Sequence, residues 1–255
     1  MKKVMLKTTL SLAVAMASSQ LFASGFALNE QSVSGMGTGF AGRSSSADDA
    51  STVYGNPAGM SRLNGQQITG GVAAIDASTD ISNTGGNSRG SNKGDMVPFT
   101  AVPFGFYTNK LNDQWAIGFG VYAPFGLVTD YESGFQGRGY GSKSEEKVMT
   151  FQPTVSYAFN DKVSIGFGPT INRISGVLES DRTLNPLVPD TNVKLKGDDT
   201  ALGFNVGVLV QATDTTRVGL TYHSKVKYKI EGHTTVSGPA ATQPILRNNR
   251  YDASL

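Results

Sequence analysis

From Val163 to Ile171 every odd position is apolar (Val163, Ile165, Phe167, Pro169, Ile171) and every even one is small or polar. Leu202 to Ala212 repeats this on even positions: Leu202, Phe204, Val206, Val208, Val210 and Ala212 stand against Gly203, Asn205, Gly207 and Gln211, with Leu209 the exception. Thr216 to Glu231 sets Val218, Leu220, Tyr222, Val226, Tyr228 and Ile230 against Arg217, Gly219, Thr221, His223, Lys225, Lys227 and Lys229. Met149 to Phe159 and Trp115 to Phe125 alternate likewise. A period of two marks β-strands with one apolar and one polar face. Runs of about 9 to 11 residues suit a tilted strand that crosses a bilayer.

Alternation alone also fits a soluble sandwich whose apolar face is core. The connections discriminate. After a strand near Thr69 to Ser82 comes the loop Asn83 to Asp95; after Val97 to Thr108, the tight link Asn109 to Asp113; after Gln114 to Leu127, a long stretch to Glu146. Asn160 to Lys162 is short, Glu179 to Thr200 long, Thr213 to Thr215 short, and Gly232 to Asp252 long. Outer-membrane barrels have short periplasmic turns and longer external loops. With the amino end in the periplasm, every long loop falls outside. About seven strands are predicted, and complete single-chain bacterial barrels normally close with an even number. The expectation is therefore an amino-terminal portion of a longer barrel.

The start of the chain agrees with export. Lys2, Lys3 and Lys7 precede the apolar run Leu10 to Met16, and small residues follow to Gly25. This pattern predicts a signal peptide over residues 1–23, since the run is shorter than the roughly 18 to 20 apolar residues of a spanning helix. Removing its three lysines from the 22 basic residues leaves near balance against 20 acidic ones, so nothing points to nucleic acid. There is no cysteine, so an exported chain must draw its stability from burial or from lipid rather than from disulfides.

Residues 24–65 are rich in Gly, Ser and Ala, with the pair Asp48-Asp49, a composition that by itself suits a linker. A wide barrel has a lumen to fill, however, and Asn56-Pro57-Ala58 between Gly55 and Gly59 reads as a rigid corner, because Pro57 fixes its own φ and biases Asn56 away from helix. The run "SGFALNEQSVSGMGTGFAGRSSSADDASTVYGNPAGM" resembles the amino-terminal hatch of the FadL family of outer-membrane transporters for long-chain fatty acids and other hydrophobic compounds. The resemblance extends to the succession of strands and loops over the whole chain. It implies an all-β fold: a transmembrane antiparallel β-barrel of about fourteen strands, plugged by a hatch over 24–65, with residues 66–255 forming the first half of the wall. It further implies a monomer, passive and needing no cofactor, that meets its hydrophobic cargo inside and releases it sideways through an inward kink in the third strand. Asn56, Pro57 and Ala58 match the family's hatch motif, and Phe26 matches an amino-terminal Phe that reaches the pocket. Pro124, Phe125 and Gly126 are the expected kink, since Pro cannot donate to a ladder and Gly weakens one.

Cargo chemistry adds candidates. Lateral release suits a long acyl chain, because each methylene moved into water costs about 0.8 kcal/mol, whereas pocket to lipid is nearly level. A carboxylate head wants a cation. Lys225 and Lys227, with Lys229, lie opposite Val226 and Tyr228 and are expected to face the lumen; a position outside, against lipopolysaccharide phosphates, is the alternative. Arg173 falls on the lipid side by alternation. Catalysis finds little support: His223 and His233 have no Gly-x-Ser-x-Gly partner and no metal-ligand spacing. The alternatives kept open are an aromatic-hydrocarbon channel of the same family, a general porin and an adhesin.

Overall fold

The computed structural model describes residues 27–82, 90–93, 95–182 and 189–238, and the backbone of 249–254. The signal-like segment and Phe26 lie outside the described residues. Among the described residues ten strands form one antiparallel sheet: β1 (Gln66–Ile75), β2 (Thr100–Lys110), β3 (Trp115–Tyr122), β4 (Gly126–Asp130), β5 (Lys143–Ala158), β6 (Val163–Arg182), β7 (Thr191–Thr213), β8 (Thr216–His223), β9 (Lys227–Ser237) and β10 (Asn249–Ser254). Because β3 and β4 both pair with β5, and β8 and β9 both pair with β7, the ladder has eight places. The eighth is β10, which pairs with β9 where the alternation predicts only the start of a strand.

The sheet curls into half a barrel, and residues 27–63 fold against its concave face through two short helices, α1 (Val33–Gly37) and α2 (Thr52–Gly55), and a 3-10 turn over Pro57–Arg62. On β5 to β7 the inward face carries many polar groups, with Gln152, Ser156, Ser164, Asn172 and Asn205 all buried there, beside two apolar clusters around Phe106 and Val148. The outward face is apolar and bare, with Phe167 46% and Leu202 76% exposed. A soluble sandwich buries the opposite face, so the inversion identifies a lipid-facing wall.

The height of that wall can be estimated along β6. Outward apolar residues run from Val163 to Ile171, and the next outward residue, Arg173, is ion-paired to Asp198 at 2.9 Å. Eight steps at about 3.4 Å, tilted by roughly 40°, give about 21 Å, close to the ~25 Å apolar band of outer-membrane barrels. At the short-turn end Trp115 and Tyr157 lie 4.8 Å apart and Tyr157 and Phe159 5.1 Å apart, an aromatic rim where the band meets headgroups.

One expectation fails here. Lys225 and Lys227 are exposed, and Tyr228 is 2% exposed in an inward cluster with Val148 and Ile174. The lysines therefore do not line the lumen. The reason is a register slip: Asn205 pairs with His223, but Asp198 pairs with Glu231, so β9 carries one residue more than the partner requires. Ser224 closes the irregularity, its N–H donating to the Phe204 carbonyl at 2.8 Å and its hydroxyl accepting from the Phe204 N–H at 2.8 Å. A slip of one residue exchanges the faces of everything beyond it. Thus Tyr222 faces lipid while Val226 and Tyr228 face inward.

The band so estimated sets a quantitative expectation. Phe167→Lys, at mid-height, should lower the unfolding free energy of the full-length protein in phospholipid vesicles by about 2–4 kcal/mol, whereas Val177→Lys, beyond Arg173, should cost no more than about 1 kcal/mol. Equal losses would place the bilayer elsewhere.

Candidate functional site

Asn56 organises the chain inside the barrel. It is 0% exposed, with extended backbone at φ −160° and ψ 105°, so it caps the 3-10 turn as Pro57 starts it. Its Oδ1 accepts from the Ala58 N–H at 3.0 Å, and its Nδ2 donates to the carbonyls of Ser44 at 2.6 Å and Val208 at 3.0 Å. One amide thus joins the corner, the preceding loop and the wall strand β7.

The wall replies with side chains aimed at backbone carbonyls. Gln152 donates to Val53 at 2.7 Å, Asn205 to Tyr54 at 2.9 Å, Thr221 to Gly55 at 2.9 Å and Ser164 to Ala58 at 2.9 Å. Tyr122 in turn donates its phenol to Gln152 Oε1 at 2.5 Å and so orients that amide. Where the two backbones meet, the wall is glycine: a Cβ on Gly166 would fall on the Pro57 carbonyl carbon, and one on Gly207 on Asn56 Oδ1. Val53 and Met60 pack with Phe104, Phe106 and Ala116 as an apolar core between segment and wall. Arg43 stacks over Phe40 and Tyr54 at 4.2 and 5.1 Å from the ring centroids. Burial holds Arg43 below the usual guanidinium pKa and pushes Tyr54 above the usual phenol value, so the two meet as a cation and a neutral ring.

The second feature is a gap in the wall. β2 pairs with β1 as far as Thr100, but with β3 only from Lys110 to Gly105, opposite Val121. β3 ends at Tyr122, and β4 resumes on β5 one residue out of step: Tyr122 faces Thr150, yet Gly126 faces Lys147. Pro124 lies in the break. Its carbonyl accepts from the Leu28 N–H at 2.9 Å, the Ala123 carbonyl accepts from Gln31 Nε2 at 3.1 Å, and Ala27 forms an antiparallel bridge with Phe125. The amino-terminal segment thus occupies the edge that the break leaves open.

Beside it lies an apolar recess of about 370 Å³. Its lining takes Val102 and Val148 from the inward face, Met149 and Arg173 from the outward face, and Leu28 from the segment, so it reaches through the wall. Phe125 packs from the break into the inward cluster of Val148, Ile174 and Tyr228. Among the described residues no group of His, Asp and Glu could hold a metal ion. His223 lies against the Tyr54 ring, 5.0 Å between centroids.

The structure therefore brings Asn56, Pro57 and Ala58 together with β5, β6 and β7, places Pro124, Phe125 and Gly126 at the break, and sends Lys225 and Lys227 outside. Sequence reasoning missed Gln152, Asn205, Thr221 and Ser164 as the groups that hold the segment. Their signal was present, since each is a hydrogen-bonding residue on the face opposite the apolar one. It also missed Leu28, which nothing in a Gly/Ser-rich stretch distinguishes.

A lipid-facing β-wall with a chain folded inside it defines an outer-membrane barrel. The family model for "Outer membrane protein transport protein (OMPP1/FadL/TodX)" matches residues 14–255, and the chain belongs to this family. It is 29% identical over 257 residues to the long-chain fatty acid transport protein of Salmonella typhi, covering 94% of this chain and 59% of that protein. It is 28% identical over 277 residues to outer membrane protein P1 of Haemophilus influenzae, covering 91% of this chain and 60% of that one. The chain thus spans about three-fifths of the length of these curated relatives. The fold matches a Pseudomonas aeruginosa FadL homologue at a TM-score of 0.67 and 23% identity, covering 84% of this chain and 55% of that one. It matches the P. putida toluene transporter TodX at 0.51 and 18% identity, covering 80% and 57%.

The Asn56 network sets a graded expectation. Asn56→Ala should lower stability by about 1–3 kcal/mol by leaving buried partners unmatched. Asn56→Asp should cost more, because it sets a carboxylate against the Ser44 and Val208 carbonyls. Chemical unfolding of the full-length protein in detergent measures both; an Asp variant as stable as wild type would show that the two carbonyl contacts contribute nothing.

Proposed function

We propose that the chain is the first half of a passive transporter that carries a small hydrophobic molecule across the outer membrane and releases it sideways into lipid. In this reading residues 1–23 are the export signal, residues 24–65 are the hatch, and residues 66–255 are wall. The observation that carries it is the pairing of Ala27 and Leu28 with the broken strand beside an apolar recess. A segment tied there by a few hydrogen bonds closes the gap when seated and opens it when withdrawn. The inward cluster of Phe125, Val148, Ile174 and Tyr228 offers the cargo an apolar resting place next to the gap.

Long-chain fatty acids are the first cargo proposed, by analogy with the Salmonella protein, and aromatic hydrocarbons the second, by analogy with TodX. The route needs no cofactor and no energy source, because apolar recess and lipid are nearly isoenergetic for an acyl chain. Catalysis has no part in it, and the protein acts as a monomer in contact with lipid and lipopolysaccharide. A general porin fits less well, since a folded segment fills the lumen that a porin leaves to water.

A cysteine lock tests the gap. The chain has no cysteine, and residues directly opposite in an antiparallel bridge are within disulfide reach. Ala27→Cys with Phe125→Cys in the full-length protein should abolish uptake of labelled oleate and toluene when oxidised and restore it on reduction. Uptake unchanged by oxidation, with the disulfide confirmed by mass, would rule out this exit.

A further inference from the structure

Three charged residues line the recess, and those on the two faces of the sheet are of opposite sign. On the outward side are Arg173 and Lys147, from neighbouring strands just above the apolar band. On the inward side is Glu146, which shares its face with Leu127 and Gly176 across the two ladders. Glu146 forms no ion pair among the described residues. Lys147 pairs with Glu145 at 2.6 Å and Arg173 with Asp198 at 2.9 Å, but the Lys147 and Arg173 side chains are 58% and 60% exposed. Pairs so open to solvent hold their partners weakly and exchange readily for another anion.

We propose that this gap is electrostatically polarised to take a long-chain carboxylate head-outward, with the acyl tail in the recess and the head between Arg173 and Lys147. Glu146 disfavours a carboxylate at the inner mouth, and the two outer cations attract one at the headgroup level of the membrane. Their long stems let both cations reach the head from the edge of the apolar band. The guanidinium of Arg173 offers a planar fork that matches a carboxylate, while Lys147 adds a point charge. The recess, at about 370 Å³, falls within the range of sites that bury small ligands. The outer lip thus supplies the cation contact that Lys225 and Lys227 do not supply inside. The inference rests on the transport reading for its purpose, but binding tests it separately.

The experiment compares oleate with oleyl alcohol, which keeps the tail and removes the charge, in equilibrium binding to the purified full-length protein. Arg173→Gln combined with Lys147→Gln should weaken oleate binding at least five-fold and leave oleyl alcohol within two-fold of wild type. Glu146→Gln should leave oleate as tight or tighter. The proposal is overturned if the double variant binds oleate as wild type does, if both ligands weaken alike, or if Glu146→Gln weakens oleate. Uptake by cells lacking their own carrier reports on the transport reading alone: a wild-type protein that binds oleate at this lip yet moves neither ligand would remove that reading and leave the binding site standing.

Discussion

In hydrocarbon a backbone N–H or C=O without a partner costs several kcal/mol, and this constraint shapes the whole molecule. It forces the wall into a continuous antiparallel ladder, and it makes any break in that ladder a place where other groups must supply the missing bonds. At Ala123–Pro124 the supply comes from Leu28 and Gln31 of the amino-terminal segment. At Phe204 it comes from Ser224. The two irregularities look alike locally, but they differ in consequence. One is healed within the wall; the other is healed by a piece of chain that belongs to the interior.

That difference links fold to function. A wall repaired from within is permanent, whereas a wall repaired by a separate segment is only as permanent as that segment's seat. The seat combines a small apolar core around Val53, Met60 and Phe106 with hydrogen bonds from four wall strands. The ends of the segment are unequal: Asn56 is fully buried and tied on two sides, while at the gap Ala27 and Asn29 are exposed and Leu28 is half-buried, with Gln31 the buried anchor there. Local opening favours the less buried end. In the proposed mechanism the gap opens without unseating the Asn-Pro-Ala corner.

Much of the fold was legible because a period of two is hard to counterfeit over nine residues. Val163 to Ile171 and Leu202 to Val210 announced both the strands and their lipid face. Pro124 and Gly126 marked the break, because each disfavours a regular ladder for its own chemical reason. What could not be read was the phase beyond Ser224. Tyr222 and Val226 both keep to the even positions, and the slip leaves no trace in composition, since apolar residues occupy the same parity before and after it. The expected inward position of Lys225 and Lys227 fails on that account alone. Leu28 was invisible for a different reason: its role depends on an edge more than ninety residues away in sequence, at Pro124.

Around the Asn-Pro-Ala corner four of the bonds that hold the amino-terminal segment run from wall side chain to segment backbone. Gln152, Asn205, Thr221 and Ser164 are wall side chains, and what they grip are main-chain carbonyls of Val53, Tyr54, Gly55 and Ala58. Carbonyls are the same in every residue. In these four bonds the wall acts as a mould that reads the backbone shape of its occupant, while Asn56, Val53 and Met60 are the side chains that the seat does require. A foreign segment would take the same seat only with the Asn-Pro-Ala corner, the right backbone path and apolar groups where Val53 and Met60 pack, whereas a single methyl group added to Gly166 or Gly207 would deform the mould itself.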